Sequence, residues 1–276
     1  GRCEGTRGDV GGAVAEADPA LGPCDSGGLG TPGSILARTG LLLSCNAGWL
    51  NDRPLGADFS RRLGRPVHLA NDANCFALSE ATDGAGAGAD SVFGIILGTG
   101  VGGGLVLGGK IHSGVHGIAG EWGHLALPRE APGPEALGNR RCWCGRQNCL
   151  EQWLSGPGLV QSWLDLSSVA PPPVAQTGPG VVQAAEKGDL AAQEALSLHA
   201  KQLAQALAYL VNILDPEVLV LGGGLSQLAS LYTEVPKLWG DGFLTASVRT
   251  ALRPPRHGDA SGVRGAAWLG AGEHPE

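Results

Sequence analysis

The segment Ser91–Leu107 leaves the chain few options. An apolar, β-branched run, Ser91–Leu97, ends in Gly98-Thr99-Gly100-Val101-Gly102-Gly103-Gly104, and a second apolar run, Leu105-Val106-Leu107, follows at once. Strand, glycines and strand make a hairpin. The glycines are not a P-loop, because no Gly-Lys-Ser/Thr opens a helix there. Nor are they a dinucleotide fingerprint, because no helix follows. Glycine lets backbone N–H groups approach an anion closely and adopt positive φ, so the turn reads as a nest for phosphate oxygens. The alternative is a plain flexible turn in a chain with 47 glycines and 18 prolines among 276 residues.

The seven cysteines divide by spacing. Cys3, Cys24, Cys45 and Cys75 are scattered. An odd count without a secretion signal reads as reduced thiols. Cys142, Cys144 and Cys149 fall within eight residues. Three thiolates that close converge most easily on a tetrahedral ion, usually zinc, with His124 the nearest upstream histidine to complete the set. The other reading is that Cys142 and Cys144 are ordinary small buried residues.

Composition narrows the class. The hydrophobic fraction of 43 % supplies a core, and this length suits one large domain or two smaller ones. With 19 basic against 26 acidic residues, the net charge of −7 argues against a nucleic-acid partner. No apolar run approaches the roughly 20 residues of a membrane helix, and no leader opens the chain, so a cytoplasmic protein is expected. Methionine is absent even at position 1, which suggests a truncated or processed start.

Along the chain, a weak helical stretch covers residues 10–17. Residues 29–33 read as a turn or strand end, and Gly64 as the C′ residue closing a short helix. Val67–Ala70 is a short strand delivering Asn71-Asp72-Ala73-Asn74 into a helix through Cys75–Ala81. The small-residue loop 84–89 marks a domain boundary, with domains at 1–88 and 89–276. Gly108-Gly109 is a tight turn, Pro171–Gly180 a loop, and Ala191–Leu214 one long helix stopped by Pro216. The strand Val218–Leu221 runs into Gly222-Gly223-Gly224. Strands alternating with helices give an α/β fold.

Two more segments carry chemistry. Asp72, between strand and helix, has the placement of a base that takes a proton from a substrate hydroxyl, or of a helix N-cap. Gly222–Gly224 lies where open α/β sheets take ligands, or is a tight turn.

Together these segments resemble the ROK family of sugar kinases. The matches are Asn71-Asp72-Ala73-Asn74, Leu97–Gly104, Gly120-Glu121-Trp122-Gly123-His124, the cysteine run through Cys149-Leu150-Glu151, and Asp215-Pro216 with Gly222–Gly224. The closing stretch Arg256–Leu269 looks most like the bacterial fructokinase and mannokinase branch. The resemblance implies an α/β fold of the actin-like ATPase (ribonuclease-H-like) kind, with two domains around a cleft. It implies that Asp72 is the catalytic base, while Asn71, Glu121, His124 and Glu151, with Asn46 a weaker candidate, hold sugar hydroxyls. Gly98, Thr99, Gly100, Val101, Gly102, Gly103, Gly104 and Leu105 are then the ATP phosphate cradle, and Gly223 and Gly224 lie near the adenosine. His124, Cys142, Cys144 and Cys149 hold a structural Zn²⁺, and Mg²⁺ arrives with ATP.

The implied activity is ATP-dependent phosphorylation of a hexose, fructose to fructose 6-phosphate. N-acetylglucosamine kinase and a truncated, non-catalytic sugar-binding relative are the alternatives. Dimers are usual in the family. Its repressors carry a DNA-binding helix-turn-helix, and no basic three-helix segment precedes Leu29. Family members open with an Asp-x-Gly-Gly-Thr phosphate hairpin that has no match here, so the smaller domain is expected to be incomplete, hexose to bind and ATP to turn over poorly. Asn148 stands where the family usually has glycine, and asparagine tolerates the left-handed region.

Overall fold

The structure is a computed structural model and describes residues 24–36, 38–43, 48–169, 171–239, 243–244 and 247–271. The helical stretch expected at 10–17, and Asn46, lie outside these residues.

The first described strands form two small pairs. β1 (Gly27–Thr31) runs parallel to β4 (Val67–Asn71), and β2 (Ser34–Leu36) pairs antiparallel with β3 (Leu41–Leu43). Helix α1 (Leu55–Leu63) joins them by burying Leu55 and Phe59 against Leu42, and it ends at Gly64, whose φ of 67° makes it the left-handed cap the sequence predicts. Helix α2 (Asp72–Thr82) follows β4 with no intervening loop.

A five-stranded sheet comes next, in the order β7-β6-β5-β8-β9. β5 (Ser91–Leu97) pairs antiparallel with β6 (Val101–Leu107), and β6 antiparallel with β7 (Lys110–Ile111). On its other edge β5 runs parallel to β8 (Val218–Gly222), and β8 parallel to β9 (Ala251–Arg253). Successive side chains leave opposite faces. Phe93, Ile95, Leu97, Leu219 and Leu221 enter one core, whereas Val92, Val218 and Val220 enter another. Because both faces are covered, β5 and β8 read as nearly unbroken apolar runs.

The larger core lies between one face of the sheet and a helical layer. After the single turn α3 (Pro134–Leu137), this layer comprises α4 (Glu151–Leu154), α5 (Gly156–Leu166), α6 (Gly178–Glu186) and α7 (Leu190–Leu214). Trp153, Trp163, Leu203 and Leu207 are its fully buried anchors. Helix α8 (Ala229–Lys237) adds Leu231 and Val235. α2 covers the opposite face, and the last helix, α9 (Ser261–Ala271), packs on both α2 and β1. Gly265 leaves no room for a Cβ against the Cys75 carbonyl. The C-terminal helix thus rejoins the first strands, across the division read at residues 84–89.

Two sequence expectations change. β6 starts at Val101 rather than Leu105, because Gly102, Gly103 and Gly104 pair with Ile96, Ile95 and Gly94. Cross-strand pairing overrides the weak strand preference of glycine. The loop expected at Pro171–Gly180 ends inside helix α6, whose N-cap Thr177 accepts from the Gly180 N–H at 3.1 Å. At the other end of the long helix α7, Asp215 at φ 43° is the left-handed cap and Pro216 follows it.

Candidate functional site

Asp72 lies at the first position of α2, and Asn71 rather than Asp72 is the helix cap. The Asn71 carboxamide oxygen accepts from the N–H groups of Ala73 (2.9 Å) and Asn74 (3.4 Å), while its Nδ2 donates to the Gly33 carbonyl at 3.0 Å. The Asp72 carboxylate accepts from Ala73 N–H at 2.8 Å. Its carboxyl keeps access to solvent. Enough protein surrounds it that desolvation raises its pKa above the ordinary aspartate value, against the backbone bond to Ala73, which lowers it.

Glu121 precedes the short turn Trp122–His124 and is likewise raised, first by burial. The His124 ring lowers it, and the charges of Asp72 and Glu151 raise it further. Three carboxylates and a histidine therefore share one electrostatic neighbourhood. Trp122 fixes this turn under the sheet: its indole N–H donates to the Gly102 carbonyl at 2.9 Å.

Glu151, the first residue of α4, ties this neighbourhood to the glycine turn. Its Oε2 accepts from the Val101 N–H at 3.3 Å, and Gly156 N–H donates to the Gly98 carbonyl at 2.8 Å. A Cβ on Gly100 would lie 2.7 Å from Glu151 Oε2. Gly223, at φ 76°, closes the other side. Its backbone lies so near the Leu97 carbonyl that a Cβ would come within 2.6 Å. The turn and Gly223 thus meet at the carboxyl ends of the parallel strands β5 and β8, where open α/β sheets bind ligands. Gly224 lies in open space.

The glycine motif divides in two. Gly98 and Gly100 form the turn. Gly102 and Gly104 line the strand face against α2, where a Cβ on Gly104 would come 2.6 Å from the Ala73 carbonyl, and Gly103 lies under Phe93 and Trp122. Leu105 is in the core. None of these glycines has positive φ, so close approach and not left-handed backbone explains the run. Positive φ is used instead at Gly108 (55°) and Gly109 (78°), in the tight turn before β7.

The cysteine loop closes on His124. His124 Nδ1 lies 3.7 Å from Cys142 Sγ, and Cys144 Sγ lies 3.6 Å from Cys149 Sγ. All four ligand atoms of His124, Cys142, Cys144 and Cys149 are within 4.8 Å of one another. A tetrahedron with metal–sulfur bonds of about 2.3 Å has edges of about 3.8 Å, so the spacing fits zinc. Asn148 takes φ 53°, as expected for a glycine substitute, and its side chain accepts from Arg140 N–H at 2.9 Å. Arg140 anchors the loop to α5. It donates to the carbonyls of Gln152 and Gly158, pairs with Asp165 at 2.8 Å and lies over the Trp153 ring.

Sequence reasoning passed over three contributors: Arg140, the Gly33 carbonyl, and Trp143. Trp143 is 71 % exposed, donates its indole N–H to Glu151 Oε1 at 2.9 Å and meets the His124 ring edge to face. Its only sequence signal was its place between two cysteines. A cavity of about 620 Å³ lies elsewhere, bounded by Ala87–Ala89, Asp215–Val218 and Ser247–Ala251 at the opposite end of the sheet. None of Asp72, Glu121, His124 and Glu151 lines it.

A mixed sheet with β5–β7 antiparallel and β8 and β9 parallel, with helices on both faces, is the actin-like ATPase fold. The ROK family profile matches residues 9–273, and the chain belongs to that family. It is 42 % identical over 261 residues to an N-acetyl-D-glucosamine kinase of Salmonella paratyphi B, covering 93 % of this chain and 84 % of the relative. It superposes on a ROK hexokinase from Thermus thermophilus with TM-score 0.80 at 30 % identity, over 97 % of this chain and 86 % of that one. A ROK family glucokinase from Streptomyces griseus, solved with glucose and AMPPNP, gives TM-score 0.77 at 29 % identity, over 97 % and 88 %. The resemblance to the fructokinase and mannokinase branch finds no counterpart among these relatives. No helix among the described residues is long and apolar enough to cross a membrane.

Proposed function

We propose that the protein is an ATP-dependent sugar kinase whose acceptor is a hexose, with N-acetylglucosamine ahead of fructose. The observation that carries this reading is the convergence of Asp72, Glu121, His124 and Glu151 beside the Gly98–Gly100 turn, with Glu151 bonded to the N–H of Val101 that follows it. The order of the sugars follows the 42 % identity to an N-acetyl-D-glucosamine kinase.

In this reading Asp72 accepts the proton of the attacking sugar hydroxyl. Partial desolvation makes it a stronger base than a solvated aspartate, and solvent access lets it pass the proton on. Glu121 and Glu151 accept bonds from other hydroxyls, and a sugar lacking the matching hydroxyl leaves them unpaired at a cost. In the turn, Gly98 N–H already donates to the Gly100 carbonyl (3.0 Å) and Val101 N–H to Glu151. The amides of Thr99 and Gly100 would then contact phosphate, with Mg²⁺ carried by the nucleotide. Gly223 and Gly224 border the adenosine.

Zinc fits the set of His124, Cys142, Cys144 and Cys149, and its part is structural. His124 Nδ1 faces the cysteines, so Nε2 serves a sugar hydroxyl. A cytoplasmic setting, with ATP and reduced thiols, suits this chemistry. A coupled ADP-release assay with N-acetylglucosamine, glucose and fructose tests the reading. Sugar-dependent ADP release from at least one of them supports it, and release from none removes it.

A further inference from the structure

We infer that Trp143 orients Glu151 and His124 and forms one wall of the sugar site, an inference that rests on the kinase reading above. An indole left 71 % exposed on a loop is normally mobile, yet this one is held twice. Its N–H bonds to Glu151 Oε1 at 2.9 Å, and its ring stands edge to face with His124, centroids 5.0 Å apart and planes at 84°. Both partners are residues assigned to sugar hydroxyls.

The Glu151 carboxylate is pinned at both oxygens, by Val101 N–H on Oε2 and by the indole on Oε1. Each oxygen keeps a lone pair for a hydroxyl, because an ionised carboxylate only accepts. The other neighbour of Oε1 is Cys142 Sγ at 4.0 Å, which would have no proton to donate once held as a thiolate by zinc. The indole N–H is then the donor that fixes the rotamer of Glu151, and a fixed rotamer is what converts a carboxylate into an oriented sugar ligand. The rest of the ring stays uncovered. It presents an apolar body beside two polar sugar ligands, the usual placement of tryptophan where one end must be dry and the other bonded.

Two variants separate these parts: W143F keeps a ring and removes the N–H, and W143A removes both. Affinity for N-acetylglucosamine without ATP is read by calorimetry, beside KM for ATP, zinc content and intrinsic fluorescence. Sugar affinity falls about tenfold in W143F and about a hundredfold in W143A, the scale of losing a charge-assisted bond and then a contact surface as well. KM for ATP stays within about twofold. Sugar shifts the tryptophan emission of the wild type, and that change is missing in W143F. Unchanged sugar affinity in W143A with zinc retained overturns the inference and leaves the kinase reading standing. Loss of zinc in both variants also overturns it, since Trp143 would then be a folding element of the loop. A wild-type protein that binds none of N-acetylglucosamine, glucose and fructose overturns both.

Discussion

Asp72 and Asn71 stand side by side and do different work. Asn71 caps α2, so Asn71→Ala is expected to destabilise the fold by about 1 kcal/mol, measured by denaturant unfolding. Asp72→Asn should instead lower turnover by a factor of about 100 or more, the usual contribution of a general base, with sugar binding kept. The sign of its effect on stability is opposite to that of a cap. A carboxyl whose pKa is raised by folding holds its proton more tightly in the native state. Ionised Asp72 therefore opposes folding above its unfolded pKa, and stability recovers as pH falls through the folded value. Asp72→Asn should thus melt no earlier than wild type at pH 7. The acid limb of kcat/KM should lie above the ordinary aspartate value, because the rate needs the ionised form. The Asn-Asp pair was legible in the sequence as a strand–helix junction. Which of the two capped was not, since both side chains suit that position and only the path of β4 decides. Trp143 was not legible at all, because an indole between two cysteines has no periodicity to betray its partner.

At the scale of elements, the glycine run and the cysteine loop make separate predictions. A Cβ at Gly98 would meet Ile96 Cγ2 at 3.8 Å, an ordinary contact, whereas at Gly104 it would collide with the backbone of α2. Gly98→Ala should keep the melting temperature and weaken ATP use, read as KM for ATP. Gly104→Ala should cost about 1–3 kcal/mol by overpacking. Equal losses of stability in both would return the whole run to packing. For the loop, the protein should carry one zinc per chain, and Cys144→Ser or a strong chelator should remove it and lower the melting temperature. Zinc-free protein of unchanged stability would show the four residues to be ordinary packing groups, buried at Cys142 and Cys149 and half-buried at His124 and Cys144. The hairpin and the Cys-x-Cys…Cys cluster were readable locally, because spacing alone brings those residues together. The extent of β6 was not, since glycine has little strand preference and its pairing depends on β5 and on the close approach of α2.

Across the whole molecule, distant segments are joined by a fully buried carboxylate that neither composition nor spacing marks. Glu80 accepts from Ala85 N–H at 2.8 Å, Arg256 N–H at 3.0 Å and the Ser261 hydroxyl at 2.7 Å. Beside it, Asp83 pairs with His257 and Arg264. These bonds hold α9 against α2, whose first residue is Asp72. Glu80→Ala leaves the buried Ser261 hydroxyl and the part-buried amides of Ala85 and Arg256 without their acceptor, and a loss of about 2–4 kcal/mol is expected in equilibrium unfolding. The return of the last helix to the first strand has no local signature, and the sequence reading did not anticipate it. These scales meet in the proposed reaction, in which Asp72 takes the proton of a hexose hydroxyl, the hydroxyl oxygen attacks the γ-phosphoryl group of ATP beside the glycine turn, and ADP leaves. Its most direct measurement is sugar-dependent ADP release by wild type and Asp72→Asn, side by side, with N-acetylglucosamine, glucose and fructose. The expected result is turnover by the wild type on at least one of them and loss of that turnover in a variant that still folds and binds the sugar. Undiminished turnover in Asp72→Asn, or none in a folded wild type, would contradict it.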